Sequence, residues 1–600
     1  VKVLFLTHAF NSLAQRLHVE LDRAGHEVAI EFDVNDAVTR EAVELAKPDV
    51  IVAPYLKRAI PEDIWSRIPC LIVHPGPPGN RGPTSLDWAI QEGEKEWGVT
   101  VLQAVAEMDA GPVWAHAAFP MRPVAKGSLY RCEVTEAAVA CVLEALGKMS
   151  RGERPQPLSA LGAAARGTLR PPMKQRERAI DWTRDDTQAV LRKIHAADGF
   201  PGVRMELLWQ DVHLFGAHDG KGDASLFSAD GEKGCVPGEV IAQRGGAILI
   251  ATLDGAVWVT HLKRVPKGNE PELKLPAAPL LGDLIATAPE AAIAIDAPDA
   301  GPTWREIRYE QHDEVGVLHF AFHNGAMSTA QCKRLLDAIR FAKSRPAKIL
   351  MLAGGPDFWS NGIHLNAIEA TGKTADASWE NINAIDDVAR EIVMTADRLT
   401  ISALCGNAGA GGVFLALAAD RVWLHNGVIL NPHYKGMGNL YGSEYWTYLL
   451  PRRVGEARAR EITSRRLPMS ARGAVECGLA DAHFGHAAPE FLRASIRRAL
   501  AMARDPSWSV LLEAKRTQRA EDEAAKPLER YREEELEKLK LNFYGFDASY
   551  HVARYHFVYK LPKARTPGYL ATHRGAVAAK PGNGESEVRL EGKRIQVEPS

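Results

Sequence analysis

Two groups of residues in this 600-residue chain have types and spacing that fit chemistry. The first lies in IVHPGPPGNRGPTSLDWAI (72–90) and WGVTVLQAVAEMDAGPVW (97–114). His74 ends an apolar run and precedes a Gly/Pro loop, and Asp109 precedes a glycine turn. An imidazole titrates near neutrality, and a carboxylate on an adjacent strand end can orient it or stabilise its charge. The plain alternative is a turn histidine ahead of Pro-Gly. The second group is a pair of glycine turns, GGPDFWSNGIHL (354–365) and CGNAGAGGVFLALAAD (405–420). Glycines let backbone N–H groups approach a ligand, and two such turns converging would hold a carbonyl oxygen between two amides. Helix–sheet packing through small residues is the alternative there.

The elements that must position these groups alternate. VKVLFLT (1–7), HEVAIEF (26–32), DVIVAP (49–54) and CLIVHP (70–75) read as strands, with a helix over NSLAQRLHVELDRAG (11–25). The apolar start reads as a first buried strand, without a cleavable signal pattern. This rhythm predicts an α/β domain over 1–165, an open parallel sheet with helices on both faces, which binds ligands beyond the carboxyl ends of its strands. His74 falls at such an end. Arg, Gly, Pro and Ala dominate about 151–170, read as a linker with little structure of its own. A small β-rich domain is expected over 171–290, and a second Ala/Pro linker over 276–302. A second α/β unit is expected over 303–485, charged helices over 486–575 and a disordered polar tail over 576–600.

At roughly 150 residues per domain, the length fits about four domains. Lys plus Arg is 73 and Asp plus Glu is 75, so the net charge of −2 argues against a general nucleic-acid binder. No apolar stretch reaches 18 residues, so no membrane span is expected. The seven cysteines form no CxxC pair and fit a reducing cytoplasm. No HExxH or clustered Cys/His set points to a metal.

The first region resembles the formyltetrahydrofolate-dependent formyltransferases and hydrolases, including methionyl-tRNA formyltransferase. The matching residues are HP at 74–75, RG at 81–82, WAI at 88–90, GVT at 98–100 and DAG at 109–111. IDW (180–182) and PG (201–202) are similar to that family's small C-terminal domain. The resemblance implies 10-formyltetrahydrofolate as cosubstrate and catalytic roles for His74 and Asp109. It implies folate contacts from Ile72, Pro75, Gly76, Arg81 and Gly82. The family's catalytic asparagine falls at Ile72, which cannot donate a hydrogen bond to a formyl oxygen. Polarisation must then rely on His74, backbone or water.

The second region, from about 305 to 485, resembles the crotonase (enoyl-CoA hydratase/isomerase) family, a β/α spiral. FWSNGIHL and GNAGAGGVFLALAAD carry the match, continued by LPRRVGEARAREITSRRLPMSARGAVECGLAD (450–481). It implies coenzyme A binding near Ser360, Gly362 and Gly409, with the amides of Ile363 and Gly411 as oxyanion hole. The hydratase glutamates fall at Phe414 and His433, so hydration is not expected. In NPHYKGMGNLYGSEYW (431–446), Tyr441 and Glu444 are the candidates for proton handling.

Together the two halves resemble a hydrogenase-maturation family that fuses such modules. That resemblance implies synthesis of the carbon monoxide ligand of a NiFe centre. The route is formyl transfer from 10-formyltetrahydrofolate to coenzyme A, then decarbonylation of formyl-CoA. It implies small-molecule substrates and, as partner, the NiFe hydrogenase large subunit or its maturation machinery, with no nucleic acid and no membrane. The alternatives are formyl transfer to another acceptor and a non-catalytic one-carbon carrier or scaffold.

Overall fold

Side-chain alternation sets the first layer. In the strand Lys2–Thr7, Val3 and Phe5 pack with Leu13, Leu17 and Val142 on one face, while Leu4 and Leu6 pack with Val43, Ile51 and Ile64 on the other. A sheet covered on both faces results. The computed structural model describes residues 1–226, 235–268, 272–299 and 301–575; the tail expected over 576–600 lies outside the described residues.

The first sheet runs Glu27–Phe32, Lys2–Thr7, Val50–Tyr55, Cys70–His74, Glu96–Gln103, Val113–Pro120 in space. The first four strands are parallel, as the β/α rhythm predicts, but the last two are antiparallel. The cause is a short connection. The eight-residue helix Ser85–Glu92 spans only about 12 Å. It does not return the chain to the far edge, and Glu96–Gln103 re-enters beside His74, with His74 opposite Thr100.

A smaller antiparallel sheet follows, built on Val203–Leu207, Gln210–Asp219, Ala256–Arg264, Ala247–Ala251 and Val240–Arg244. Helix Thr187–Ala197 covers it through Val190, Leu191 and Ile194.

The third unit has a six-stranded sheet, Ile307–His312, Val315–Phe320, Ile349–Gly354, Leu399–Leu404, Arg421–His425 and Ala482–Phe484. Three of its strands are each followed by a short strand of a second sheet: Phe358–Ser360, Asn407–Gly409 and Ile429–Asn431. These three are parallel neighbours, so the segments leaving their carboxyl ends meet. The charged C-terminal region forms helices Ala488–Arg504, Trp508–Ala525, Leu528–Tyr544 and Ser549–Val558. None of the described helices is long and apolar enough to cross a membrane.

The modules are tied together beside these short strands. Asp357 accepts from Ser128 Oγ at 2.7 Å and Arg131 Nη2 at 2.8 Å, and Asn431 Nδ2 donates to Gln15 Oε1 at 2.9 Å. His261 of the small sheet stacks on His323 of the third unit at 4.0 Å. The chain beyond the last long helix straps back over the first sheet, where Thr566, His573 and Arg574 all bond to buried Glu31.

Candidate active sites

His74 ends its strand and is 5% exposed. Its Nδ1 lies 3.5 Å from Asp109 Oδ2, so the structure brings this predicted pair together. Asp109 sits at φ +54° and is braced by the Gly82 N–H at 3.1 Å. The loop after His74 is pinned by Thr100 Oγ1 donating to the Gly76 carbonyl at 2.7 Å and Trp97 Nε1 to the Pro75 carbonyl at 2.9 Å. A Cβ on Gly76 would lie 2.7 Å from His74 Nε2 and overlap Asn80 Oδ1, so glycine is required for the close approach of these two groups. Arg81 pairs with Glu107 at the edge of a cavity of about 220 Å³ lined also by Asn80, Thr100, Asp109 and Gly111.

Ile72 is half-buried and packs against the apolar cluster that holds Leu4, Ile51 and Cys70. A different amide stands beside His74. Asn80, buried in the Gly/Pro loop, places Oδ1 3.0 Å from His74 Nε2, and Ser85 Oγ lies 3.4 Å from the same nitrogen. Sequence reasoning passed over Asn80 because asparagine in such a loop reads as a turn residue. The expected linker is part of this site as well. Gly167 N–H donates to the Pro78 carbonyl at 3.0 Å, Arg81 pairs with Leu169, and the Thr168 carbonyl faces Asn80 Nδ2 at 3.4 Å. A segment read as a linker with little structure of its own is bonded to the loop that carries Asn80 and Arg81, and its Leu158 lines the cavity.

In the third unit, the turns after Phe358–Ser360 and Asn407–Gly409 abut. A Cβ on Gly362 would stand 3.5 Å from the Gly411 nitrogen. Ser360 Oγ, fully buried, accepts from the Gly362 N–H at 3.1 Å and shapes the first turn. Gly409 lies in the neighbouring short strand. The N–H groups of Ile363 and Gly411 meet no protein acceptor among the described residues, as an oxyanion hole requires.

The third segment brings Glu444 over the second turn, where a Cβ on Gly411 would overlap Glu444 Oε1. Glu444 is buried, and its Oε2 touches the hydroxyl of Tyr434, which also reaches the Ser443 carbonyl at 2.8 Å. Burial, then the charge of Asp386, pushes the Glu444 carboxyl up to about 8. Phe414 stacks on Tyr434 at 5.2 Å. Tyr441, expected beside Glu444, is instead 37% exposed with its ring 5.5 Å from Trp446. Its position on the loop surface leaves Tyr434 as the hydroxyl at Glu444. Both tyrosines lie in one aromatic-rich stretch, and spacing alone does not say which turns inward. Burial, with Arg466 and Lys435, lowers His433 to about 4, so it stands neutral.

Comparison with known proteins gives the families of the modules. The formyl transferase model matches residues 18–146, the formyl transferase C-terminal domain 172–270 and enoyl-CoA hydratase/isomerase 314–551. Hydrogenase maturation factor HoxX of Bradyrhizobium diazoefficiens is 54% identical over 96% of this chain and 97% of its own length. This chain belongs to the HoxX/HypX family of hydrogenase maturation factors. The crystal structure of family member HypX from Aquifex aeolicus in complex with tetrahydrofolic acid has 49% identity and a TM-score of 0.90, covering 95% of this chain and 98% of that one. Methionyl-tRNA formyltransferase of Dechloromonas aromatica is 27% identical over 40% of this chain and 73% of its own. The HoxX/HypX family thus joins a formyltransferase module to a hydratase-like module, and both expected resemblances are correct.

Proposed function

We propose that this protein makes carbon monoxide for a NiFe hydrogenase by moving a formyl group from 10-formyltetrahydrofolate to coenzyme A and decarbonylating formyl-CoA. The observation that carries this reading is the second site: two free amides for a thioester oxygen, with the Glu444–Tyr434 pair against one of them and Phe414 where a hydratase has a carboxylate. Such a pocket holds an acyl thioester and moves protons without activating water.

At the first site, His74 takes the thiol proton as sulfur attacks the formyl carbon, and returns it to the departing folate nitrogen. Asp109, 3.5 Å away, stabilises the imidazolium between these steps. Asn80 supplies the amide that polarises the formyl oxygen. Support for the folate comes from the tetrahydrofolic acid in the Aquifex complex, and for coenzyme A from the hydratase-like fold. Placing both sites in one chain raises the effective concentration of the second step. The partner on this reading is the hydrogenase or its maturation machinery, in the cytoplasm.

The test is incubation with coenzyme A and 10-formyltetrahydrofolate labelled on the formyl carbon. Labelled carbon monoxide is expected. Labelled formate alone overturns the reading, and labelled product on an amine acceptor favours the formyltransferase alternative.

A further inference from the structure

Two further carboxyls lie behind Glu444. Asp386, from helix Thr374–Val393, and Glu535, from helix Leu528–Tyr544, are fully buried, and all three acids meet around Ser443. Their hydrogen-bond donors are shared unequally. Glu535 accepts from the N–H of Tyr445 at 3.0 Å, the N–H of Thr447 at 2.8 Å and the Thr447 hydroxyl at 2.5 Å. Asp386 accepts from the Glu444 N–H and the Ser443 hydroxyl, both at 2.8 Å, with Arg532 Nε 3.8 Å away. Among the described residues, Glu444 receives only the Ser443 N–H at 3.3 Å and the contact with Tyr434.

Tyr434 has one hydrogen for two acceptors. When it donates to the Ser443 carbonyl at 2.8 Å, the hydrogen between it and Glu444 belongs to Glu444. Arg532 is paired with Asp387 at 2.7 Å and cannot neutralise three buried carboxylates. An unneutralised buried charge is strongly disfavoured, so a proton stays in the cluster.

We propose that Asp386 and Glu535 are positioning residues that hold the Glu444 loop, and that Asp386 keeps a negative charge that leaves Glu444 a neutral carboxylic acid. The groups facing Glu444 agree. Asp386 and Asp387 come from one helix, Glu535 and Arg532 from another, Tyr434 from the preceding loop and Cys332 from helix Thr329–Lys343. Burial pushes Asp386 up to about 7 and Glu444 and Glu535 up to about 8, and the charge of Asp386 adds to the rise at each glutamate. The same two acids hold the loop. Glu444 and Tyr445 both sit at φ +59°, a left-handed conformation costly for side chains of their size. Asp386 and Glu535 capture the N–H groups of these two residues.

What the neutral acid does rests on the carbon monoxide reading above. One oxygen of Glu444 accepts the formyl proton from carbon while the carboxyl hydrogen passes to sulfur. The C–H pair becomes the carbon lone pair of carbon monoxide, the C–S pair leaves with sulfur, and Glu444 ends neutral as it began. No new charge appears in the buried pocket.

Infrared difference spectra of wild type against Glu444→Gln read the protonation state without any reaction. A protonated-carboxyl C=O band from Glu444 is expected at pH 7. Asp386→Asn removes the neighbouring charge but keeps an acceptor for the Glu444 N–H. In that variant the band should titrate away roughly one pH unit lower, a tenfold change in the ionisation constant. The alkaline limb of carbon monoxide formation should move with it, while formyl transfer at His74 is unchanged. Asp386→Glu should restore both. If Asp386→Asn does not fold, Ser443→Ala, which removes a hydrogen bond that favours ionised Asp386, is read by the same band, with the same direction of shift. A wild-type protein lacking the band, or a band that does not move in the folded variants, overturns the proposal. A band that behaves as expected in a protein making only formate upholds the proposal and overturns the carbon monoxide reading.

Discussion

Glu444 occupies the space that a side chain at Gly411 would need, so the acid and the oxyanion amide lie against each other in one pocket. Gly411→Val therefore fails twice. The added carbons displace the carboxyl and block the approach of a thioester to the amide. Carbon monoxide formation should fall by about 10²–10³-fold, the usual effect of losing one oxyanion donor. Calorimetry should show weakened coenzyme A binding, while folate binding beside His74 stays intact. Wild-type coenzyme A affinity in a folded Gly411→Val protein would remove this turn from the site.

His74→Ala and Asp109→Ala should each lower formyl consumption by about 10²–10⁴-fold, the range for loss of a general acid or base. Asn80→Ala separates the two amide hypotheses for this site. If Asn80 polarises the formyl oxygen, its loss costs turnover while folate affinity changes little. Asn80→Asp should be slower still, because a carboxylate repels the oxygen it should polarise. Turnover of Asn80→Ala equal to wild type would return that role to backbone or water.

The strand and turn chemistry of both sites was legible in the sequence because those residues sit where pattern meets chemistry. His74 closes an apolar run, Asp109 precedes a glycine, and the two glycine turns follow buried strands. Less legible was anything set by long-range packing. Nothing local says that Gly167 and Thr168 pack against the loop after His74. Asn80 and Thr168 stand 88 positions apart in the chain, and a contact over that separation leaves no periodic signature. Tyr434 and Tyr441 are both tyrosines in one loop. Only the inward stacking of Phe414 chooses between them. Asp386 and Glu535 lie on helices far apart in the chain, and their burial needs both helices in place.

The C-terminal strap gives a pH prediction. Burial works against ionised Glu31, but bonds from His573, Thr566 and Arg574 outweigh it and hold its carboxyl below the ordinary value of 4.5. A depressed carboxyl contributes stability that is fully present above its unfolded value and is lost as pH falls through the folded one. The strap should therefore stay docked at neutral pH and loosen only below about 4.5. Limited proteolysis near residues 562–575 across pH reads this directly. Glu31→Gln should release the strap at neutral pH and cost about 2–3 kcal/mol, the scale of hydrogen bonds to a charged group. Equal protection of wild type and Glu31→Gln would show that apolar packing of Leu570 alone holds the segment.

Tyr434 and Tyr441 provide the sharpest contrast. Tyr434→Phe keeps the ring stacked on Phe414 and removes only the hydroxyl at Glu444. The carboxyl hydrogen then loses its acceptor, and the route that orders it toward a bound thioester is gone. Carbon monoxide formation should fall by about 10²–10⁴-fold while formyl transfer to coenzyme A continues, so formyl-CoA or its hydrolysis product formate accumulates. Tyr441→Phe changes a half-exposed ring beside Trp446 and should leave the carbon monoxide yield unchanged. Single-turnover mixing with labelled formyl donor, quenched and resolved into carbon monoxide, formyl-CoA and formate, reads both variants together. The reverse pattern, a slow Tyr441→Phe beside an unaffected Tyr434→Phe, would mean that the loop from 434 to 445 rearranges when substrate binds and that the buried hydroxyl is only a packing element.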